Sequence, residues 1–172
     1  MERATPENPS QVALLLKLLA FTIAAPGTIT LWLPLFLLFL EIRHRPTAWG
    51  APTLSAALLI GLGIPGYIWC ALDFVFAGKG TPAPIDPPKL LVVRGFYRFT
   101  RNPMYVSVLT LLVGENLFFR SVALLDYAVV VAIGFYLFVV FYEEPALRKM
   151  RGASYQEYCK MAPRWILRIE RR

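Results

Sequence analysis

The sequence has few charged residues, one histidine and two cysteines. Charged residues make up 17% of its 172 residues, and hydrophobic residues make up 57%. A soluble domain carries about 25% charged residues and about 45–50% apolar ones, so the composition excludes an ordinary soluble domain. The apolar residues also form long runs, which is typical of an integral membrane protein.

The scarcity of histidine and cysteine limits the chemistry that the chain can perform. His44 is the only histidine, which excludes a histidine acid–base pair and a metal cluster of histidines and cysteines. Cys70 lies in an apolar run and Cys159 in a basic segment, so the sequence implies no disulfide framework. A P-loop phosphate-binding motif is also missing. We therefore expect a reaction that needs neither a metal nor a histidine.

The net charge of +7 comes from two basic blocks that flank apolar runs. Residues 79–101 hold five lysines and arginines, and residues 148–172 hold eight. Basic residues beside apolar runs are typical of the cytoplasmic face of a membrane protein. The pattern therefore predicts a membrane as the partner and argues against a nucleic acid.

Four apolar stretches predict the spans, at residues 12–40 (broken), 54–77, 103–119 and 122–142. The first contains Pro26, Gly27 and Pro34, and it is too long for one untilted span and too short for two. A broken, tilted helix and a short re-entrant hairpin both fit it. The sequence predicts an all-α integral membrane protein, a single domain over residues 1–172 with four to five transmembrane helices in a bundle.

The third and fourth spans are separated only by Arg120 and Ser121, which predicts a tight hairpin. The loop 78–101 and the C-terminal helical tail 143–172 then lie on the same side of the membrane and should touch. Both are basic, so we expect that side to be cytoplasmic, with residues 43–45 as a minor departure. In the tail, Gly152 predicts a helix stop, and "SYQE" at residues 154–157 has the pattern of a capping box.

The loop ends in "RNPMY", which predicts a helix start at the membrane surface. Asn102 has the N-cap position and Pro103 the first helical position. A helix N-terminus offers free N–H groups and a positive dipole end to an anionic or acceptor-rich ligand. Arg101 and the two preceding arginines would reinforce such a site, whereas the simpler interpretation is that they meet lipid headgroups.

Acidic residues at span ends are the other candidates. Glu143 and Glu144 either form a solvated helix turn paired with a following basic residue, or bind ribose hydroxyls or an ammonium group. Glu115 lies roughly 18 Å along the third span at 1.5 Å per residue. An ionisable group at that depth is a functional candidate, unless it already lies near the far surface. Asp126 has the same two interpretations.

Taken in order, several segments resemble one family of membrane enzymes. They are "GKGTPAPIDPPKLLVVRGFYRFTRNPMY", an apolar hairpin, "YEEPALRKMRGASYQEY" and "PRW". Over residues 78–168 this order resembles the isoprenylcysteine carboxyl methyltransferase family, and more loosely the phospholipid methyltransferases. The resemblance implies a small helical bundle that binds S-adenosylmethionine on the cytoplasmic side. It also implies a lipophilic acceptor that enters from the bilayer.

The resemblance further implies which residues bind the cofactor, while it leaves the catalytic residue unassigned. They come from the segment before a glycine, an aromatic residue after it, the "NPMY" helix start and the acidic pair, namely Lys89, Leu90, Leu91, Val92, Tyr97, Asn102, Pro103, Met104, Tyr105, Glu143 and Glu144. In this interpretation Tyr97 and Tyr105 face the sulfonium cation.

Two positions depart from the prenylcysteine enzymes. Asn102 replaces their usual histidine, so it can cap and hydrogen-bond but cannot titrate. Val139 stands where they place an arginine that serves the substrate carboxylate. A carboxylate acceptor would then lack its partner in a low-dielectric site. The resemblance therefore predicts the cofactor better than it predicts the acceptor.

Other functions remain open at this stage. Within enzymes they are a phospholipid or isoprenoid-alcohol methylase and a membrane reductase of related helical build that uses a nicotinamide cofactor. Outside enzymes they are a non-catalytic membrane subunit and a small transporter. A transporter should show polar residues at mid-membrane depth or repeated halves, and neither pattern is clear. A purely structural subunit has no need for the "RNPMY" and "EEP" pairing.

Overall fold

The computed structural model describes residues 11–41, 50–82 and 89–165, and within these ranges it is all-helical. Five helices follow in chain order: α1 (Gln11–Leu40), α2 (Ala51–Phe76), α3 (Pro103–Phe119), α4 (Val122–Arg151) and α5 (Ala153–Met161). The predictions for residues 43–45 and for the tail beyond residue 165 lie outside the described residues.

The four apolar helices give the chain its class. α1, α2 and α4 have 30, 26 and 30 residues and are long and apolar enough to cross a membrane. α3 is apolar and has 17 residues, which is the lower limit for a span. Their outer faces carry exposed leucines, valines and phenylalanines. The prediction of an all-α integral membrane protein with a bundle of four to five transmembrane helices is confirmed, with four apolar helices in the described ranges, three of them long enough to span a membrane.

α1 is a single helix with a disturbed middle, so the structure holds the first of its two predicted arrangements. A turn at Ala25 precedes Pro26, and the segment Thr28–Trp32 winds as a π-helix before the regular helix resumes. Proline lacks an N–H donor and clashes with the preceding turn, which explains the irregularity at this point. At 1.5 Å per residue the helix is about 45 Å long, longer than the hydrocarbon core of a bilayer.

α2 and α3 pack closely because glycines face the neighbouring backbone. A Cβ atom at Gly63 would lie 2.9 Å from the Ser107 carbonyl oxygen. A Cβ atom at Gly114 would lie 2.8 Å from the Cγ1 atom of Ile60. At Gly63 the nearby atom belongs to the backbone, so a side chain there would require movement of one of the helices. At Gly114 a Cβ atom would also lie 3.1 Å from the Ile60 backbone nitrogen, which leaves little room even if the Ile60 side chain moves. These glycines therefore fix the position of α3, and with it the site at its N-terminus.

The predicted hairpin between α3 and α4 is present. Arg120 takes a left-handed conformation with φ of 51°, and the Ser121 hydroxyl accepts a hydrogen bond of 3.1 Å from the Leu124 N–H group. The amide of Asn116 donates to the Ser121 carbonyl oxygen at 2.7 Å. This two-residue turn brings the start of α3 and the end of α4 to the same end of the bundle.

α4 changes its winding where it leaves the apolar region. Its regular helix ends at Phe138, a π-helical turn covers Val139–Glu143, and the regular helix resumes at Glu144–Arg151. π-helical turns often occur at functional sites. The predicted stop at Gly152 is present, with φ of 52°. The capping box at Ser154 is not formed, because α5 begins one residue earlier and the Ser154 hydroxyl donates to the Arg151 carbonyl oxygen.

Candidate functional site

A cavity of about 530 Å³ lies at the end of the bundle where α3 begins and α4 ends. This volume falls within the roughly 300–1,000 Å³ of typical ligand pockets. Its walls change character along its length. Phe21 and Ile29 of α1 and Phe135 of α4 form an apolar part, and Tyr155 and Tyr158 of α5 form a part with hydroxyl groups.

Most of the predicted cofactor-binding residues line this one cavity. They come from the loop, from the start of α3 and from the π turn of α4 and the residue after it, and they are Leu90, Leu91, Val92, Tyr97, Asn102, Met104, Tyr105, Glu143 and Glu144. Lys89 and Pro103 do not line it. The Lys89 carbonyl oxygen instead accepts a hydrogen bond from Arg151, and Pro103 is buried at the first position of α3.

The described parts of the loop and the tail are joined by hydrogen bonds to backbone carbonyl groups of the tail. The Arg101 N–H group donates to the Pro163 carbonyl oxygen at 2.9 Å. The Thr100 hydroxyl and the Asn102 amide both donate to the Arg164 carbonyl oxygen, each at 3.0 Å. The prediction that the loop and the tail touch is confirmed. Residues 163–164 therefore hold the tail against the entry to α3.

Asn102 occupies the N-cap position of α3, but its side chain makes no capping hydrogen bond to the helix. The amide nitrogen is used for the tail contact just described, and the residue is buried. Pro103 at the first helical position has no N–H group, so one donor fewer needs a partner at the start of α3, which has no side-chain cap. Asn102 thus links the helix start to the tail.

Glu143 and Tyr105 form a polar pair at the cavity wall. The Tyr105 hydroxyl donates to the Oε2 atom of Glu143 at 2.8 Å. The Tyr105 ring packs against Phe135, with ring centroids 4.7 Å apart. A hydrogen bond to a carboxylate is about twice as strong as one between neutral groups, so Tyr105 fixes the orientation of Glu143. Glu143 thereby places a carboxylate beside an otherwise mostly apolar space.

Glu144 has a different environment from its neighbour. Arg164 binds its carboxylate with both nitrogens of a fork, Nε to Oε1 at 2.7 Å and an Nη atom to Oε2 at 2.9 Å. An Nη atom of Arg101 lies 3.2 Å from Oε1, and an Nη atom of Arg148 lies 3.8 Å from Oε2. Glu144 is only 4% exposed. It is a buried carboxylate shared by three arginines, not the solvated helix turn that was one interpretation of the sequence.

Tyr97 closes the cavity from the loop side. It is buried, its ring packs edge-on against Phe74 at 5.6 Å, and its carbonyl oxygen accepts a hydrogen bond of 2.6 Å from the Tyr158 hydroxyl. Burial, with the neighbouring Cys70 and Glu143, raises the pKa of Tyr97 well above its ordinary value. Its hydroxyl therefore stays protonated and can only bind, not titrate, near neutral pH.

An ion pair that the sequence reasoning missed holds the loop in place. Asp73, near the end of α2, is buried, and its Oδ1 atom accepts a hydrogen bond of 2.7 Å from Arg94. Gly95 follows with φ of 56°, and a Cβ atom there would lie 2.6 Å from the Oδ2 atom of Asp73. Only glycine fits this conformation and this space. The sequence signal for this ion pair is an acidic residue at the end of an apolar run. The basic loop that follows supplies the positive charge that neutralises it.

Arg164 is the second missed residue. In the sequence, the "PRW" segment contributes only to the motif order that carries the resemblance. The structure places the Arg164 side chain on Glu144 and its carbonyl oxygen on Thr100 and Asn102. A lone arginine twenty residues from an acidic pair carries no local signal of such a contact.

The remaining candidates lie elsewhere. Glu115 is on the wall of a second cavity, and Asp126 is exposed on the first turns of α4. Cys70 and Cys159 are free thiols. Among the described ranges, no group of three or more His, Cys, Asp and Glu residues is placed to hold a metal ion.

These features define a class of protein, a helical integral membrane protein with a ligand-sized cavity at one end of its bundle. The model of the phospholipid methyltransferase family matches residues 53–154, which is more than half of the chain. The chain belongs to this family, which is the family of the isoprenylcysteine carboxyl methyltransferase-like membrane enzymes, so the resemblance is confirmed. No curated protein and no solved structure matches the chain. The family match includes Asp73, Tyr105 and Glu144 but ends before Arg164.

Proposed function

We propose that this membrane methyltransferase transfers a methyl group from S-adenosylmethionine to a lipophilic acceptor within the 530 Å³ cavity. The observation that carries the proposal is the convergence of the loop, the start of α3 and the π turn of α4 on one cavity. Bound S-adenosylmethionine would supply an activated methyl group on a sulfonium. Catalysis can then rest on positioning and on exclusion of water, which suits a site without histidine.

The described residues fit such a cofactor. The Glu143 carboxylate, oriented by Tyr105, is a suitable acceptor for ribose hydroxyls or for the amino group of the cofactor. Leu90, Leu91 and Val92 offer apolar contact on the loop side. The rings of Tyr97 and Tyr105 line the same space, where a cation near an aromatic face is stabilised.

The acceptor would occupy the apolar part of the cavity. Phe21, Ala25 and Ile29 of α1 and Phe135 and Phe138 of α4 line this part. All five are apolar residues of the long apolar helices α1 and α4, so a lipid tail keeps an apolar environment on entering. This arrangement supports a lipophilic acceptor whose reactive group reaches toward Glu143 and Tyr105.

The charges at the site argue against a carboxylate acceptor. Val139, which is 1% exposed and lines the cavity, stands where the prenylcysteine enzymes have an arginine. Arg101 and Arg148 do not replace that arginine, since both lie beside the Glu144 carboxylate. Glu144 is itself bound by Arg164, so it is also a poor partner for an ammonium group. We infer a neutral or amine-bearing lipid acceptor, since neither needs a free cation at Val139.

We expect a farnesylated cysteine analogue to give no methyl transfer, whereas a total lipid extract gives labelled product. The reason is the cost of several kcal/mol for an unpaired carboxylate in an apolar site. The measurement is incorporation of label from the methyl donor by the reconstituted protein, with the Glu143→Ala variant as the background control. Robust turnover of the cysteine analogue that is abolished by Asn102→Ala would contradict the assignment of the acceptor.

We also propose that the cavity end of the bundle faces the cytoplasm. This end carries Lys79, Arg94, Arg98 and Arg148, in the loop and on the last turns of α4. An excess of lysine and arginine in short loops is retained on the cytoplasmic side during insertion. Such an orientation gives the site direct access to a water-soluble methyl donor.

A further inference from the structure

A second cavity lies at the opposite end of the bundle from the proposed methyl-transfer site. It has a volume of about 290 Å³ and is bounded by α1, α2 and α3. Leu31, Leu35 and Leu38 of α1 and Phe118 and Phe119 of α3 form its apolar walls. Its polar side chains are the hydroxyl of Thr30 and the carboxylate of Glu115.

One oxygen of the Glu115 carboxylate lacks a partner in the described part of the chain. Its Oε2 atom is buried and has no hydrogen-bond partner among the described residues. The Thr30 hydroxyl donates to the Pro26 carbonyl oxygen at 2.8 Å, so its proton is not directed at the Glu115 carboxylate. An ionisable group in an apolar environment must find a cation or a donor, or take up a proton. The cavity therefore has an apolar body and one unmatched acceptor.

Water is a poor occupant of such a space. A buried water molecule usually makes about three hydrogen bonds, and cavities with apolar walls remain dry. Here Glu115 is the main acceptor, and the other walls are leucine, isoleucine, proline and phenylalanine. An occupant with an apolar chain and one charged donor matches the walls and the carboxylate together.

The depth of Glu115 also fits a lipid headgroup. It is four residues before the end of α3 at Phe119, or about 6 Å along the helix axis. The rim beyond it is polar, since the Ser121 hydroxyl donates to Glu41 and Asn116 donates to the Ser121 carbonyl oxygen. One turn from the end of an apolar helix, beside polar groups, is where we expect the acyl region of a leaflet to meet its headgroups. The π-helical turn Thr28–Trp32 widens α1 on the facing wall.

We propose that this cavity is a second lipid site, which binds an amine-headed lipid of the leaflet opposite the methyl-transfer site. The ammonium group pairs with Glu115, and the chain lies along Leu31, Leu35 and Phe118. The site is independent of the proposed reaction, because Glu115 and Glu143 lie near opposite ends of the bundle. Its occupant is bound and is not methylated there.

The test uses the protein in lipid nanodiscs with a photoactivatable long-chain primary amine, beside the alcohol of the same chain. We expect the amine to label peptides that contain residues 31–38 and 115–119. We expect Glu115→Gln to lower this labelling about tenfold or more, as for the loss of a hydrogen bond to a charged group. In the parent protein, we expect the alcohol to label these peptides only weakly. This labelling should not exceed the labelling of the Glu115→Gln variant by the amine.

The matched control is Asp126→Asn, which removes an exposed carboxylate near the same end of the bundle and should leave the labelling unchanged. A second variant, Leu35→Trp, fills the cavity while keeping Glu115 and should abolish the labelling. S-adenosylhomocysteine binding should stay equal in all three variants, which separates this site from the proposed methyltransferase function. Equal labelling by the amine and the alcohol, or equal loss of labelling in Asp126→Asn and Glu115→Gln, would overturn the proposal.

Discussion

Glu144→Ala is expected to lower the free energy of unfolding by about 3 kcal/mol and to release the C-terminal tail from the bundle. Removing one partner of a buried ion pair leaves uncompensated charge, which costs about 3–5 kcal/mol. The lower end applies here, because Arg164 is one-third exposed and Arg148 is more exposed still. Most of the cost comes from the charge of Arg101, since only 11% of its side chain is exposed. The measurements are thermal unfolding in detergent and the rate of tryptic cleavage in the tail.

Arg148→Ala is the matched control for this prediction. Arg148 lies on the same helix face and contacts the same carboxylate, but its closest distance is 3.8 Å and its side chain is 58% exposed. Exposed ion pairs contribute about 1 kcal/mol or less. We therefore expect a small change in stability and no change in cleavage of the tail. If both variants unfold alike, Glu144 does not hold the tail in the way that the structure indicates.

Glu143→Ala is expected to have the opposite profile, with weaker cofactor binding and nearly unchanged folding. In the described structure the carboxylate receives a hydrogen bond from Tyr105 and contacts no arginine at the distances seen for Glu144. A lost hydrogen bond to a charged group costs about 1–3 kcal/mol, or roughly 5–150-fold in affinity. Calorimetric titration with S-adenosylmethionine measures this change directly.

Tyr105→Phe separates the carboxylate from its orientation. This variant keeps the ring against Phe135 and removes only the hydroxyl that donates to Glu143. We expect a smaller loss of affinity than in Glu143→Ala, since the carboxylate remains in the cavity. Equal affinity of the Glu143→Ala variant and the parent protein would remove Glu143 from the site.

Features determined by local patterns could be predicted from the sequence. Proline and asparagine define the start of α3, and a two-residue gap defines the hairpin, because both depend on neighbouring residues alone. The hairpin then places the loop and the tail at one end, so their contact followed from connectivity. The capping box at Ser154 was wrong, because the positive φ of Gly152 already allows α5 to begin at Ala153.

Pairings between distant residues could not be predicted. Asp73 and Arg94 are 21 residues apart, and Glu144 and Arg164 are 20 apart, with no periodic pattern between them. The two adjacent glutamates looked equivalent in sequence. Their different roles follow from the winding of α4, whose π turn ends at Glu143 and whose regular helix resumes at Glu144. Such a change of winding depends on tertiary packing and has no reliable signal in local composition.

The binding of S-adenosylmethionine in the cavity can be checked by titration of the purified protein with S-adenosylhomocysteine and with NADPH. We expect saturable binding of one S-adenosylhomocysteine per chain, with weaker binding in the Glu143→Ala variant. We expect no saturable binding of NADPH. The match to the model of a methyltransferase family and the position of Glu143 on the cavity wall both lead to this result. Saturable binding of NADPH, with no binding of S-adenosylhomocysteine, would contradict the proposed methyltransferase function and favour a reductase.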